Sequence, residues 1–209
     1  MKFNEAIFIL NNLKIGIPNA GKSSLLNALT RARAKIGDYS FTTIHPMVGC
    51  VEYEDYLQIS IADLPGLLPD LTSGFGTRYL HHLERCKIII FVLDFSKLSV
   101  DLLQDINEEP FMQYLNMKNV LDSYDPSLLM KKSSIIIAHK IDQILFMSID
   151  KKIDEFKTKL YNYYKNDGSG LNNRNIPPII PVSARDKINL NKFLKLLRNI
   201  YEYEVKNKE

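Results

Sequence analysis

At 209 residues, 45% of them hydrophobic and 24% charged, the chain is long enough to bury one sizeable core and has no need of a second domain. A formal net charge of +3 permits contact with RNA without arguing for it, because the lysines are spread along helical stretches whose solvated faces need them anyway. The apolar runs are too short to span a bilayer, and the two cysteines, Cys50 and Cys86, stand in no metal-ligand spacing and are expected to stay reduced inside a cell.

In chain order, residues 1–12 carry Glu5 and only Lys2. They lack the arginine-rich, acid-free character of a transit peptide and the cleavage site of a secretory signal, and read as a short lead before a domain spanning 13–205. The apolar Leu13-Lys14-Ile15 then runs into Gly16-Ile17-Pro18-Asn19-Ala20-Gly21-Lys22-Ser23, which fits the pattern G-x-x-x-x-G-K-[ST], and a helical stretch follows from Ser24. The glycines let backbone N–H groups close in on phosphate oxygens, and the helix adds the positive end of its dipole. Lys22 supplies a mobile charge for the outer phosphates, and Ser23 a hydroxyl for Mg²⁺. Arg31, Arg33 and Lys35 form the densest basic cluster, better read as a solvated loop than as a phosphate-binding patch. Thr42-Thr43 sit in a stretch with no periodic apolar pattern and on their own read as a polar loop.

Residues 57–62 read as an apolar strand that ends at Asp63, placing a carboxylate at the sheet's carboxyl edge, where it can hold a metal-bound water near the phosphate loop. Within Asp63-Leu64-Pro65-Gly66, the Gly66 backbone N–H can reach a γ-phosphate. His81 and His82 are adjacent on a predicted helix, point in different directions and make a poor metal pair. The apolar runs 87–93 and 134–138 are bounded by Asp94 and His139 and read as buried parallel strands. In His139-Lys140-Ile141-Asp142, a carboxylate at Asp142 can accept both N–H groups on the edge of guanine that adenine lacks, so GTP rather than ATP is the expected ligand. Ile153, Phe156, Leu160 and Tyr164 form the apolar stripe of one helix, and residues 166–175 a Gly/Ser/Asn-rich loop. The strand 178–182 is closed by Ser183-Ala184-Arg185, where a backbone N–H can meet guanine O6. A last helix carries Leu190, Phe193, Leu194, Leu197 and Tyr201 on one face, with Lys192, Lys195 and Arg198 pointing away. The alternation implies an α/β fold: a doubly wound, mostly parallel six-stranded sheet with helices on both faces, and ligands at its carboxyl edge.

With these motifs in order, the chain resembles the Obg-type GTPases of the translation-factor-related class, most of all their eukaryotic, mitochondrial ribosome-assembly branch. The carrying residues are the phosphate loop with its continuation Ser24-Leu25-Leu26-Asn27-Ala28-Leu29-Thr30, the stretch Ala34-Lys35-Ile36-Gly37-Asp38-Tyr39-Ser40-Phe41-Thr42-Thr43-Ile44, then Val51-Glu52-Tyr53 and Ile61-Ala62-Asp63-Leu64-Pro65-Gly66-Leu67. Tyr79-Leu80-His81-His82-Leu83-Glu84-Arg85-Cys86 and Tyr124-Asp125-Pro126-Ser127-Leu128-Leu129 belong to the same resemblance. It implies a Ras-like G domain of the P-loop NTPase fold that takes GTP or GDP with Mg²⁺. The site it implies comprises Gly16, Ile17, Pro18, Asn19, Ala20, Gly21, Lys22, Ser23, Ser24, Phe41, Thr42, Thr43, Asp63, Leu64, Pro65, Gly66, His139, Lys140, Asp142, Ser183, Ala184 and Arg185. Lys22 would bind the β- and γ-phosphates, Ser24 would lie near the α-phosphate, Ser23 and Thr43 would ligate Mg²⁺, Asp63 would reach it through water, and Lys140 would cover one face of the base. Thr43, Asn19 and the Gly66 backbone are the candidates for catalysis. The partner implied is a large ribosomal subunit precursor or its rRNA, the chain a monomer, and the compartment mitochondrial, with cytoplasmic or nucleolar alternatives open.

The departures from the family carry information too. Obg proteins have a glycine-rich domain ahead of the GTPase domain; with 15 residues before Gly16, that domain is expected to be absent. Residues 67–76 make a shorter second switch than the family's. Leu67 stands where Ras-like enzymes keep the glutamine that orients water, so intrinsic hydrolysis is expected to be slow. Asn19 resembles the residue with which some relatives hold K⁺, and equally reads as a loop-shaping Asn after Pro18. His139 replaces an Asn that ties the phosphate loop to the base and bonds guanine N7; imidazole is expected to copy one of those bonds but not to be donor and acceptor at once, which predicts weaker nucleotide binding. The alternative is therefore a GTP/GDP-binding module with little or no turnover.

Overall fold

Ile88–Asp94 and Ser133–His139, the two longest strands, show why an uninterrupted apolar run is needed at the centre of this sheet. Ile89, Phe91 and Leu93 face one buried cluster, and Ile88, Ile90 and Val92 face another. Ile136 and Ala138 join the first cluster, Ile135 and Ile137 the second. With a side-chain period of two and helices on both faces, every position of Ile88–Asp94 and residues 135–139 of its neighbour are buried, only Ser133 and Ser134 at the start being half-buried, and no polar alternation survives.

The computed structural model of the chain describes residues 9–11, 20–30, 35–36, 47–63, 86–96, 109–166 and 176–206. Its strands are β1 (Ile9–Asn11), β2 (Lys35–Ile36), β3 (Met47–Glu52), β4 (Gln58–Asp63), β5 (Ile88–Asp94), β6 (Ser133–His139) and β7 (Ile179–Val182), in the spatial order β2-β3-β4-β1-β5-β6-β7. Pairing is parallel from β4 through β1, β5 and β6 to β7, and antiparallel where β3 meets β2 and β4. The helices are α1 (Lys22–Leu29), α2 (Pro110–Tyr124), the single turn α3 (Leu128–Lys131), α4 (Ile149–Asn166) and α5 (Leu190–Lys206).

The six-stranded expectation is corrected to seven strands among the described residues. The extra one, β2, is two residues long, too short to leave a periodic trace in the sequence. β1 is Ile9–Asn11, inside the stretch read as a lead, while the run 13–15 lies outside the described residues. α2 and α4 cover one face through Tyr114, Leu121, Phe156 and Leu160; α1 and α5 cover the other through Leu25, Leu26, Phe193 and Leu197. Both stripes expected for the last two long helices are buried at Ile153, Phe156, Leu160 and Tyr164, and at Leu190, Phe193 and Leu197. Lys192 and Lys195 are exposed. Gly49 in β3 lets α1 pack closely, since a Cβ there would stand 2.5 Å from the Thr30 side chain and 2.9 Å from that of Leu26.

Arg198 does not simply point into water. It grips Asp55 in the β3–β4 turn with two bonds, at 2.9 and 2.5 Å, and lies 5.3 Å from the Tyr53 ring centre. The Tyr53 hydroxyl donates to the Leu194 carbonyl at 2.8 Å, and burial pushes this phenol up to about 12. No helix among the described residues is long and apolar enough to cross a membrane.

Candidate functional site

Parallel pairing lines up the ends of the strands. Asn11 pairs with Asp63, Asp94 with His139, and His139 with Val182, so these strand ends lie along one carboxyl edge. That edge, next to the N-terminus of α1, is where an α/β sheet of this kind takes a ligand.

Ala20 and Gly21 lead into α1. Gly21 has φ +83°, a left-handed conformation that favours glycine. A Cβ at Gly21 would also meet His139, 2.5 Å from Cε1 and 2.7 Å from Nδ1. As the N-cap, it brings no side-chain oxygen to the first turn of α1, the end of a helix that attracts anions. Lys22 is buried at that end, and Ser23 and Ser24 are exposed beside it.

His139 is 3% exposed and closes the gap between two loops. Its Nδ1 is 2.8 Å from the Ala20 carbonyl, and its Nε2 receives the Ala184 N–H at 3.4 Å. A carbonyl only accepts, so the ring proton belongs on Nδ1 and the lone pair on Nε2. The expectation that imidazole would not serve as donor and acceptor together is thus corrected, because the neutral ring carries one of each on opposite sides. Both are spent on backbone, and neither nitrogen keeps an N–H for a base N7. Burial holds the ring's pKa below the ordinary histidine value, against the Ala20 bond and Asp94, which favour the charged form.

Asp142 lies in a 3₁₀ turn, Ile141–Gln143, directly after β6. Its Oδ1 accepts from the Ser183 hydroxyl at 2.6 Å, with no partner for Oδ2 among the described residues. The Ser183 oxygen in turn accepts the Asp186 N–H at 3.1 Å, and Ser183 pairs with Ile188 through both backbone bonds. This fixes the turn 184–187, from which Arg185 points out with its side chain 80% exposed. Lys140, left-handed at φ +61°, sends its ammonium to Asp94 at 2.6 Å. Asp94 is 1% exposed, and its other oxygen takes the Ser96 N–H and hydroxyl. Gln113 of α2 clasps the Asp94 backbone from both sides.

Lys22, Ser23, Ser24, His139, Lys140, Asp142, Ser183 and Ala184 thus gather at one edge. Gly16, Ile17, Pro18, Asn19, Phe41, Thr42, Thr43, Leu64, Pro65 and Gly66 lie outside the described residues, as do residues 67–85 and 167–175. Asp63 ends β4, where only its backbone is described. Sequence reasoning missed the role of Asp94, although the signal was the one applied to Asp63, an Asp closing a buried strand. Among the described residues no group of His, Cys, Asp or Glu forms a metal cluster. The Ser23 hydroxyl at the start of α1, a hard oxygen next to a lysine ammonium, fits Mg²⁺ held jointly with phosphates.

Residues 13–140 match the family described as 50S ribosome-binding GTPase. GTPase Obg of Mycoplasmopsis synoviae (strain 53) is 38% identical over 164 residues, 78% of this chain and 36% of the relative. Mitochondrial ribosome-associated GTPase 2 of Homo sapiens is 41% identical over 130 residues, 61% of this chain and 29% of the relative. The chain thus spans only 36% and 29% of these two curated relatives. Among solved structures, Era in complex with MgGDPNP and nucleotides 1506-1542 of 16S ribosomal RNA superimposes with a TM-score of 0.59 at 22% identity, over 94% of this chain and 57% of that one. The cytosolic domain of the T. maritima FeoB iron transporter in its GMPPNP form gives 0.56 at 20% identity, over 95% and 64%. At these identities the superpositions show the P-loop GTPase fold alone.

Proposed function

The chain belongs to the 50S ribosome-binding GTPase family, and on that premise we propose that it is an Obg-type switch that binds GTP and GDP, hydrolyses GTP slowly and acts in assembly of the large ribosomal subunit, the mitochondrial one. One observation carries the nucleotide reading: Asp142, held through Ser183, stands at the same sheet edge as the α1 N-terminus, with His139 spanning the two. A base recognised by the Asp142 carboxylate and phosphates cradled at α1 are the two ends of one guanine nucleotide.

In this reading the Gly16–Gly21 backbone and Lys22 bind the phosphates, Ser24 lies by the α-phosphate, and Asp142 accepts the N1 and N2 hydrogens of guanine. Asp94 holds the Lys140 ammonium aside, which leaves the lysine's carbon stem for the face of the base. Ser23, Thr43 and, through water, Asp63 would hold Mg²⁺, which when bound neutralises charge on the outer phosphates. Leu67 provides no group to orient water, and the slow rate follows from that. Asn19 is proposed as a K⁺ ligand. The ribosomal partner and the mitochondrial compartment rest on the relatives' names, and a monomer is proposed alongside them.

Displacement of a fluorescent GDP by GTP, ATP and XTP, followed by steady-state phosphate release, tests the reading. Displacement by GTP but not by ATP, with slow release, is expected; equal displacement by ATP overturns it. A binding module with no turnover is the second reading, supported by His139 spending both nitrogens on backbone, and binding without phosphate release establishes it.

A further inference from the structure

We propose that His139 is a proton-sensitive positioning residue: its neutral ring ties the phosphate loop to the Ser183–Ala184 turn, so that affinity for GTP and GDP alike falls on acidification. The proposal rests on the guanine-nucleotide reading above and adds a device that an amide in the same place lacks, because an amide has nothing to titrate.

The geometry makes the ring a strut. It touches the Ala20 carbonyl at 2.8 Å on one side and the Ala184 N–H at 3.4 Å on the other, and Gly21 lies so close that not even a Cβ fits between them. The two loops it joins serve opposite ends of the nucleotide. Their demands on the ring are opposite too: Ala20 needs an N–H at Nδ1, and Ala184 needs a lone pair at Nε2. Only the neutral Nδ1–H tautomer meets both. A second proton on Nε2 would set one N–H against another where the ring is 3% exposed and water cannot relieve the clash.

Charges reach the ring from several elements. Asp94 at the end of β5 and Asp142 in the 3₁₀ turn favour the imidazolium, and Lys140, next in the chain, opposes it. α1 opens with Lys22, a further cation immediately after Gly21. The turn after β7 contributes the Ala184 N–H, which prefers a neutral nitrogen. Burial outweighs the rest and lowers the pKa. The tie is therefore complete above the ordinary histidine value of 6.5 and is lost as pH falls from there through the ring's lowered value.

Calorimetric titration of the chain with Mg-GDP from about pH 8 down to about pH 5 tests this, using the native protein, His139→Asn and His139→Gln. Affinity of the native protein is expected to weaken by up to about tenfold per pH unit below the ring's pKa, while the amide variants follow a flatter course. Imidazole ¹⁵N shifts of the native protein are expected to show the Nδ1–H tautomer at neutral pH. Parallel pH profiles in the native and amide proteins overturn the proposal, and so does an Nε2–H tautomer. If no protein binds GDP at any pH, the guanine-nucleotide reading fails and takes the affinity claim with it, whereas the ¹⁵N shifts still decide the tie.

Discussion

The carboxyl ends of β5, β6 and β7 and the β3–β4 hairpin are both fastened by bonds between distant parts of the chain, but the fastenings differ in kind. At the strand ends Asp94, His139 and Ser183 are all but fully buried, and each is satisfied by a partner of fixed geometry. At the hairpin the Arg198–Asp55 pair is open to water, with side chains 32% and 52% exposed. Desolvated bonds are costly to break because a polar group is stranded, whereas a solvated ion pair gives way to water at little cost. The strand ends are thus held by bonds that are costly to break, whereas the Arg198–Asp55 part of the hairpin's fastening can give way at little cost and leave the partly buried Tyr53–Leu194 bond to hold it on α5.

The comparison can be broken by mutation. The largest effect is expected in the sheet behind these strand ends: Ile137→Ala, at a fully buried position, should cost about 2–5 kcal/mol in denaturant-induced unfolding. A loss comparable to that of a surface change would show that this part of the sheet is loosely packed. Lys22→Ala should weaken GTP on the order of a hundredfold, since it removes charge-assisted bonds to phosphate. Unchanged GTP affinity in the folded variant would remove Lys22 from the phosphate site.

Asp142→Asn should trade GTP for XTP, whose 2-oxo group suits an amide donor; full retention of GTP selectivity over XTP would unseat Asp142 as the base reader. His139→Asn, at a pH well above the histidine pKa, should tighten GTP and GDP together by about fivefold, roughly 1 kcal/mol, by restoring a donor for N7. Tightening of GTP alone would place the residue in the γ-phosphate switch instead. The smallest effect belongs to the hairpin, where Arg198→Ala should lower the unfolding midpoint only slightly, and less again in high salt. A loss as large as that of Ile137→Ala would erase the contrast between the two regions.

What the sequence determined by itself is whatever a short window carries. The G-x-x-x-x-G-K-S pattern, the apolar runs that became β5 and β6, the stripes of α4 and α5, and the placing of Asp142 and Ser183 just past strand ends all follow from local spacing. So does the family resemblance, which the match over residues 13–140 bears out. What only the tertiary structure decided are pairings with no local trace. His139 meets Ala20 across 119 positions, Lys140 meets Asp94 across 46, and Arg198 meets Asp55 across 143. The two-residue β2 exists only because β3 is there to pair with it. The physical reason is the same in each case: periodicity records which face of an element is buried, whereas a buried polar bond depends on which partner the fold brings opposite, and on which nitrogen of a ring must then carry the proton.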